Sequence, residues 1–371
     1  HNLINIEQHA FLPKHSTTTC LHRVVDEFFD AFNEKEKVGA CFLDISKCFD
    51  SVDHDILLFK MQQYGIAENM LRWFSSYLKE RKQVVFSQGK LSAKKELSVG
   101  VPQGGVLAPI IFLLFINDIS QSIKSGVLTI YADDVILFEI GKDVQTITYR
   151  LQSNIDSIND WYKQNHLRIN VDKTKSILLQ TRSHDILKIY IDGIEIEQVK
   201  SIRYLGVDIH VNNLCKSIGY KIRSLGKLRK FLSSSLLNTL YKFTIQPCID
   251  YGISVWANSA DKHKTKLQRL QKRAARYITG NFDLNVSFKT LSKKLAWQDI
   301  NERKDYFLAT QMFKCIHGLA PPQLCNDIEM FCERHNHHTR NNDSLTVVPP
   351  EAHLSIFKQA FKFSGAKRWN G

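Results

Sequence analysis

The sequence predicts a mixed α/β region up to about residue 210 and a mainly helical region beyond it. Three observations carry that division. Before residue 210, short apolar β-prone runs alternate with segments of helical periodicity. After it, apolar residues recur only at helical spacing. Charge is also segregated along the chain. The 371 residues carry a net +13, yet Lys216 to Lys304 alone holds 19 Lys and Arg against five acids, and the remainder sums to −1. Such a segment suits a polyanionic partner.

Composition excludes other classes. With 43% hydrophobic residues, the chain is globular and long enough for more than one core. Its longest apolar run, Val106 to Ile116, is interrupted by Pro109. A bilayer span needs about 20 such residues, so no membrane association is expected. Eight scattered cysteines with no CxxC pair point away from a disulfide scaffold and toward a reducing nuclear or cytoplasmic setting. Cys325, Cys332, His335, His337 and His338 cluster late in the chain, but their spacing reads as a polar loop rather than a zinc site. The chain opens at His1 rather than Met and reads as a segment of a longer product.

The elements follow in order. Thr17 to Phe32 reads as a helix. Ala40 to Ile45 is an apolar run, most simply a buried strand, with Asp44 inside its end. Leu71, Phe74 and Leu78 set a helix over Asn69 to Lys79. Gln83 to Phe86 with Gln88-Gly89 reads as a hairpin. Val106 to Ile119, after a Gly/Pro-rich entry, reads as a buried helix. Leu128 to Tyr131 and Val135 to Phe138 are strands around the turn Ala132-Asp133-Asp134. Ile147, Leu151, Ile155, Ile158 and Tyr162 form one helical stripe. Lys175 to Gln180 and Ile189 to Ile196 read as strands, the latter around the Asp192-Gly193 turn. Tyr204 to Ile209 is a further strand. Beyond it, helices are expected at Ile218 to Leu228, at Leu236 to Ile245 (ended by Pro247), and at Leu267 to Ile278.

The chemistry centres on carboxylates. Asp44 ends one strand, and Asp133 and Asp134 sit in a hairpin turn between apolar strands. Ionised acids in such surroundings are costly unless paired or metal-bound. Their hard oxygens suit Mg²⁺ or Mn²⁺, and two such ions can assist phosphoryl transfer. A solvated turn bearing two acids fits the same spacing.

Five segments carry a resemblance. Phe42-Leu43-Asp44-Ile45-Ser46-Lys47-Cys48-Phe49-Asp50, Gly100-Val101-Pro102-Gln103-Gly104-Gly105, Tyr131-Ala132-Asp133-Asp134, Leu167 to Lys175 and Tyr204-Leu205-Gly206-Val207 resemble motifs A to E of non-LTR retrotransposon reverse transcriptases. Their order and spacing match over roughly residues 7–210. Phe11-Leu12-Pro13 before Ser16-Thr17, and Phe363 to Asn370, point to the jockey-like branch.

The resemblance implies an α/β (α+β) palm-type polymerase core with partial fingers (1–210). A basic helical thumb (211–310) and a C-terminal region without an assigned role (311–371) would follow. It implies RNA-directed DNA synthesis from a primer 3′-OH, with template RNA, a DNA primer and dNTPs as partners. Asp44, Asp133 and the Ile45 carbonyl would hold two Mg²⁺ or Mn²⁺ ions, and Asp134 would be the auxiliary acid. Phe49 would exclude a ribose 2′-OH. Gln103 and Gly104 would line the nucleotide site, and Lys173 or Lys175 would protonate the leaving pyrophosphate. Tyr204 to Gly206 would form part of the primer grip. Cys48 stands where the family commonly has Ala, and Gly105 where it has Ser. The fingers strands and a basic residue that grips the triphosphate would lie upstream, leaving Lys14 and Arg23 as weak substitutes; an endonuclease domain would also precede. Lys266, Arg269, Arg273 and Arg276, with Lys221, Arg223, Lys227, Arg229 and Lys230, would grip a template–primer duplex by its phosphates. An inactive chain that only binds nucleic acid, or an RNA-dependent RNA polymerase, are the alternatives. The sequence leaves the oligomeric state open.

Overall fold

The computed structural model describes residues 3–179, 185–208, 212–257, 261–331, 345–354 and 357–370. Cys332 and the three late histidines lie outside the described residues. Two compact units divide the chain: His1–Pro13 with Glu36–Lys200, and Lys14–Lys35 with Ser201–Gly371. The expected 1–210 region thus contributes its first helix, α1 (Thr17–Asn33), to the second unit. Amphipathicity announces that a helix has a partner, not which one.

The first unit is built on β1 (Lys37–Leu43). Val38 to Leu43 are all buried, as expected of a central strand with both faces covered. Next come α2 (His54–Gln63), α3 (Glu68–Leu78) and a small ribbon of four two-residue strands. In the ribbon β2 (Lys82–Gln83) pairs β5 (Lys95–Glu96), and β3 (Phe86–Ser87) pairs β4 (Lys90–Leu91) across Gln88-Gly89. All four strands are exposed.

α4 (Ala108–Ile116) is apolar on every side and buried from Ile111 to Ile116. The expected helix to Ile119 stops early because Asn117 and Asp118 bond elsewhere. The Asn117 Oδ1 accepts from the Asn5 N–H at 2.7 Å, and Asp118 receives the Lys60 Nζ at 2.6 Å. A separate 3-10 turn then covers Ile119–Ser122. Lys60 is buried, also donates to the Phe115 carbonyl, and lies over the Trp161 ring. Its burial lowers the amine pKa, and Asp118 works against that shift.

β6 (Val127–Tyr131) and β7 (Asp134–Gly141) form the expected hairpin, and β8 (Lys175–Leu179) pairs with the other edge of β1. The sheet order is β6-β7-β1-β8, every pair antiparallel. α5 (Val144–Gln164) lays its predicted stripe, Ile147 to Tyr162, on β1 and β7. Gly39 permits that approach, since a Cβ there would lie 2.5 Å from Ile147 Cγ2. β9 (Tyr190–Ile191) and β10 (Ile194–Glu195) make the Asp192-Gly193 hairpin.

Among the described residues, the second unit is helical apart from one hairpin and an isolated Met330–Val347 bridge. The expected strand over Tyr204 to Ile209 is instead β11 (Arg203–Tyr204) folded back on β12 (Val207–Asp208). Leu205 and Gly206 both adopt positive φ, 45° and 75°, and turn the chain. The Tyr251 hydroxyl donates to the Leu205 carbonyl at 2.7 Å and pins the turn. α6 (Asn212–Leu228) and α7 (Ser234–Thr244) follow, then α8 (Gln246–Asp250), with Pro247 in its first turn rather than ending α7. α9 (Ile253–Trp256), α10 (Asp261–Thr279), α11 (Phe288–Leu295), α12 (Ile300–Ile316) and α13 (Pro322–Asn326) continue, and α14 (Phe361–Trp369) closes the unit. α14 packs on α12 and α1. Buried Asp26 of α1 accepts from the Phe361 and Lys362 N–H groups at 2.6 and 3.2 Å, capping α14 from another helix. The Asn33 side-chain oxygen accepts from the His353 and Leu354 N–H groups of a bend. Among the described residues, no helix is long and apolar enough to cross a membrane.

Candidate active site

Register brings the acids together. Leu43 of β1 pairs with Val135 of β7, so the next step places Asp44 opposite Asp134. Directly opposed residues of an antiparallel pair share a face. Asp133 precedes Asp134 in the turn closed by the Tyr131–Asp134 pair. The Asp134 carboxyl feels the other two. Partial burial, then Asp133, then Asp44, push the Asp134 carboxyl up to about 6. The Cys48 thiol hydrogen-bonds Asp133 and is pushed up to about 12, first by burial and next by that charge.

The loop after α5 clamps this edge. The Asp44 N–H donates to Thr174 Oγ1 at 3.2 Å, and the Asn170 N–H donates to the Asp44 carbonyl at 2.7 Å. The Ser46 N–H donates to the Arg168 carbonyl. These bonds form the Ile45–Ile169 bridge and leave the Ile45 carbonyl outside it.

One supporting residue has no signature in the sequence pattern. Gln8 is 2% exposed, and its Oε1 accepts from the N–H groups of Ala10 and Ala132, at 2.8 and 3.2 Å. Backbone bonds from His9 to Ile130 and from Ile130 to Glu7 lock the segment onto β6. Ala132 has φ 56°, a left-handed conformation that costs a Cβ residue about 1 kcal/mol or more. Gln8 therefore holds a strained residue adjacent to Asp133. A buried Gln is invisible to periodicity, which registers only apolar spacing.

Phe49 lies in the 3-10 turn Cys48–Ser51, half-buried, its ring stacked on Phe112 at 4.5 Å. Its carbonyl accepts from the Val101 N–H, tying this turn to the Gly100–Gly105 loop. Gly100 is obligatory there: φ is 88°, and a Cβ would sit 2.8 Å from the Asp50 carbonyl oxygen. Gln103 is exposed and donates to Asp50 Oδ1 at 2.8 Å. Gly104, φ 82°, faces open space.

Lys173 is exposed and has no acidic partner among the described residues. Lys175, opposite Phe42 in the sheet, instead ion-pairs with Glu197 at 3.0 Å and donates to the Asp172 carbonyl. Of the two lysines, Lys173 is the one left available. Lys14 and Arg23 are bound within the second unit, to the Gly318 carbonyl and to Glu27 and Asp327.

The donor set fits a hard dication. Among the described residues, no Lys or Arg pairs with Asp44, Asp133 or Asp134, so their mutual repulsion is uncompensated. Among the described residues no three His, Cys, Asp or Glu side chains, these acids included, are already drawn together as a metal site. An open carboxylate set is the arrangement Mg²⁺ uses when it keeps water and substrate oxygens.

On the helical unit, Lys266, Arg269 and Arg273 of α10 are exposed. Arg276 is not part of that face: half-buried, it donates to the Asp283 and Leu284 carbonyls and braces the following loop.

Comparison with known proteins agrees with the motif order. Residues 1–209 match the profile described as reverse transcriptase (RNA-dependent DNA polymerase). The chain is 29% identical over 291 residues to the RNA-directed DNA polymerase from mobile element jockey of Drosophila melanogaster, covering 74% of this chain and 32% of that protein. It is 28% identical over 288 residues to the probable RNA-directed DNA polymerase from transposon X-element of the same organism, with the same coverages. It thus spans about a third of the length of these curated relatives. Among solved structures it is similar, at a TM-score of 0.40 and 14% identity, to apo telomerase from Candida tropicalis, covering 81% of this chain and 51% of that one. With its carboxylate edge and ordered motifs, the chain belongs to the reverse transcriptase (RNA-dependent DNA polymerase) family, on the jockey-like branch of non-LTR elements.

Proposed function

We propose that this chain carries the polymerase centre of a mobile-element enzyme that extends a primer 3′-OH with dNTPs along an RNA template. The observation that carries the reading is the convergence of Asp44, Asp133 and Asp134 on one sheet edge, with Asp134 pushed up to about 6 first by burial and then by the other two acids. Three hard carboxylates without a basic partner select Mg²⁺, two ions in our reading, with Mn²⁺ as a substitute. When bound, the ions supply charge neutralisation at the attacking and leaving oxygens.

The chain's own residues do the positioning. Asp44 and Asp133 are the proposed ligands, and Thr174, Asn170 and Gln8 hold their backbone still. Phe49 offers a flat wall fixed by Phe112 beside the nucleotide site, where a deoxyribose fits and a 2′-OH collides. Gln103, held by Asp50, and Gly104 shape the mouth. Lys173 is the proposed proton donor to pyrophosphate. The exposed α10 cations would hold the template–primer by its phosphates.

Primer extension on an RNA template tests this directly. Mg²⁺-dependent dNTP incorporation is expected, falling at least 100-fold in Asp133→Ala while duplex binding persists. Incorporation that survives Asp133→Ala sinks the assignment.

A further inference from the structure

The exposed stripe of α6 has a composition that a simple phosphate grip does not need. Lys216, Tyr220, Arg223 and Lys227 follow one another at spacings of 4, 3 and 4, the repeat that keeps side chains on one helix face. All four are exposed. Tyr220 is 66% exposed, an unusual position for a large ring that buries so little of itself. The Arg223 guanidinium lies 4.6 Å from the centre of that ring. Beyond the helix end, Phe231 is 82% exposed, and Arg229 lies over the exposed Phe282 at 4.5 Å. No Asp or Glu occurs between Asp208 and Asp250. Among the described residues, neither Lys216 nor Lys227 has an acidic partner.

A duplex presents phosphates and stacked bases whose faces are closed to side chains, so an exposed ring gains little from it. An unpaired strand presents both phosphates and free base faces. Cations flanking an exposed flat ring match that second ligand. From Lys216 to Lys227 the stripe runs about 16 Å, enough for a few nucleotides of an extended strand.

We propose that this face of α6 binds single-stranded polynucleotide, with one base stacking on the Tyr220–Arg223 pair and phosphates lying against Lys216 and Lys227. The proposal rests on the nucleic-acid reading of the helical unit and narrows it to unpaired strand.

Fluorescence anisotropy with the full chain separates the cases, using a labelled unstructured oligoribonucleotide, the matching oligodeoxyribonucleotide and a blunt RNA–DNA duplex. Tyr220→Ala, at a site exposed enough to leave the fold intact, should weaken oligoribonucleotide binding roughly tenfold with little change in duplex affinity. Tyr220→Phe should restore it. Lys216→Glu with Lys227→Glu should also flatten the salt dependence. A larger Tyr220→Ala loss on RNA than on DNA assigns the strand as template-like RNA; equal losses assign any unpaired strand. Unchanged oligonucleotide affinity in Tyr220→Ala, or an equal loss on duplex, overturns the proposal alone. Failure of the unaltered chain to bind either form overturns the nucleic-acid reading with it.

Discussion

Removing the Gln8 carboxamide would leave the N–H groups of Ala10 and Ala132 without an acceptor in a place closed to water. An orphaned buried donor costs about 1–3 kcal/mol. Here the loss falls next to Asp133. Gln8→Leu is therefore expected to lower Mg²⁺-dependent incorporation and raise the Mg²⁺ needed for half-maximal rate, beyond what its modest loss of melting temperature explains. An unchanged Mg²⁺ dependence would make Gln8 merely structural. Asp26 gives a second residue-scale expectation. Burial pushes its carboxyl up to about 7, with Lys362, Asp30 and Cys315 as the charged or titratable groups facing it. In the unfolded chain an Asp titrates near 3.9. Between those values the folded chain holds the extra proton, so stability falls as pH rises from about 4 to 7 and levels above that. Asp26→Asn should make that slope shallower, leaving the part due to Asp134 and other raised acids, as urea midpoints at pH 5 and 7.5 would reveal; an unchanged slope puts its origin elsewhere. Neither residue was legible in the sequence. Apolar spacing and motif order identified Asp44, Asp133 and Asp134, whereas a buried polar residue in a loop or helix leaves no periodic trace.

Elements were legible where one period dominated. The α5 stripe, the β6–β7 hairpin and the buried β1 strand all follow from spacing alone. The failures came where two local forces compete. Tyr204 to Ile209 alternates well enough for a strand, but Leu205-Gly206 takes positive φ and folds it in two. The Val106 to Ile119 helix ends three residues early because Asn117 and Asp118 find better partners off the helix. That second case is testable. Lys60 is buried with Asp118 as its counter-ion, and deleting one partner of such a pair costs about 3–5 kcal/mol. Asp118→Ala should lower stability by roughly that amount. Lys60→Met combined with Asp118→Leu, which removes both charges and keeps the apolar volume, should cost clearly less than Asp118→Ala alone by the same measurement.

At the scale of the whole molecule, the change from mixed to helical composition near residue 210 was readable, and a unit boundary falls at Lys200. The membership of α1 was not readable, because its partners are distant in sequence, from Tyr204 and Ser254 to Phe361 and Lys362, the last two more than three hundred residues away. The C-terminal residues, which carry no chemistry in the sequence, have a structural task as a result. Deleting residues 345–371 should expose α1 amides to hydrogen exchange while leaving the β1 and β7 amides protected. Equal protection of α1 in both chains would contradict that assignment.

The cap that Asp26 places on α14 has a consequence in time. During synthesis at about 5–20 residues per second, the acceptor emerges well over ten seconds before the N–H groups it will bind. By the time Phe361 and Lys362 follow, every strand of the β6-β7-β1-β8 sheet has been made, the last ending at Leu179. The order of translation therefore lets the carboxylate-bearing unit mature first. Docking of α14 on α1 is left to close the second unit last.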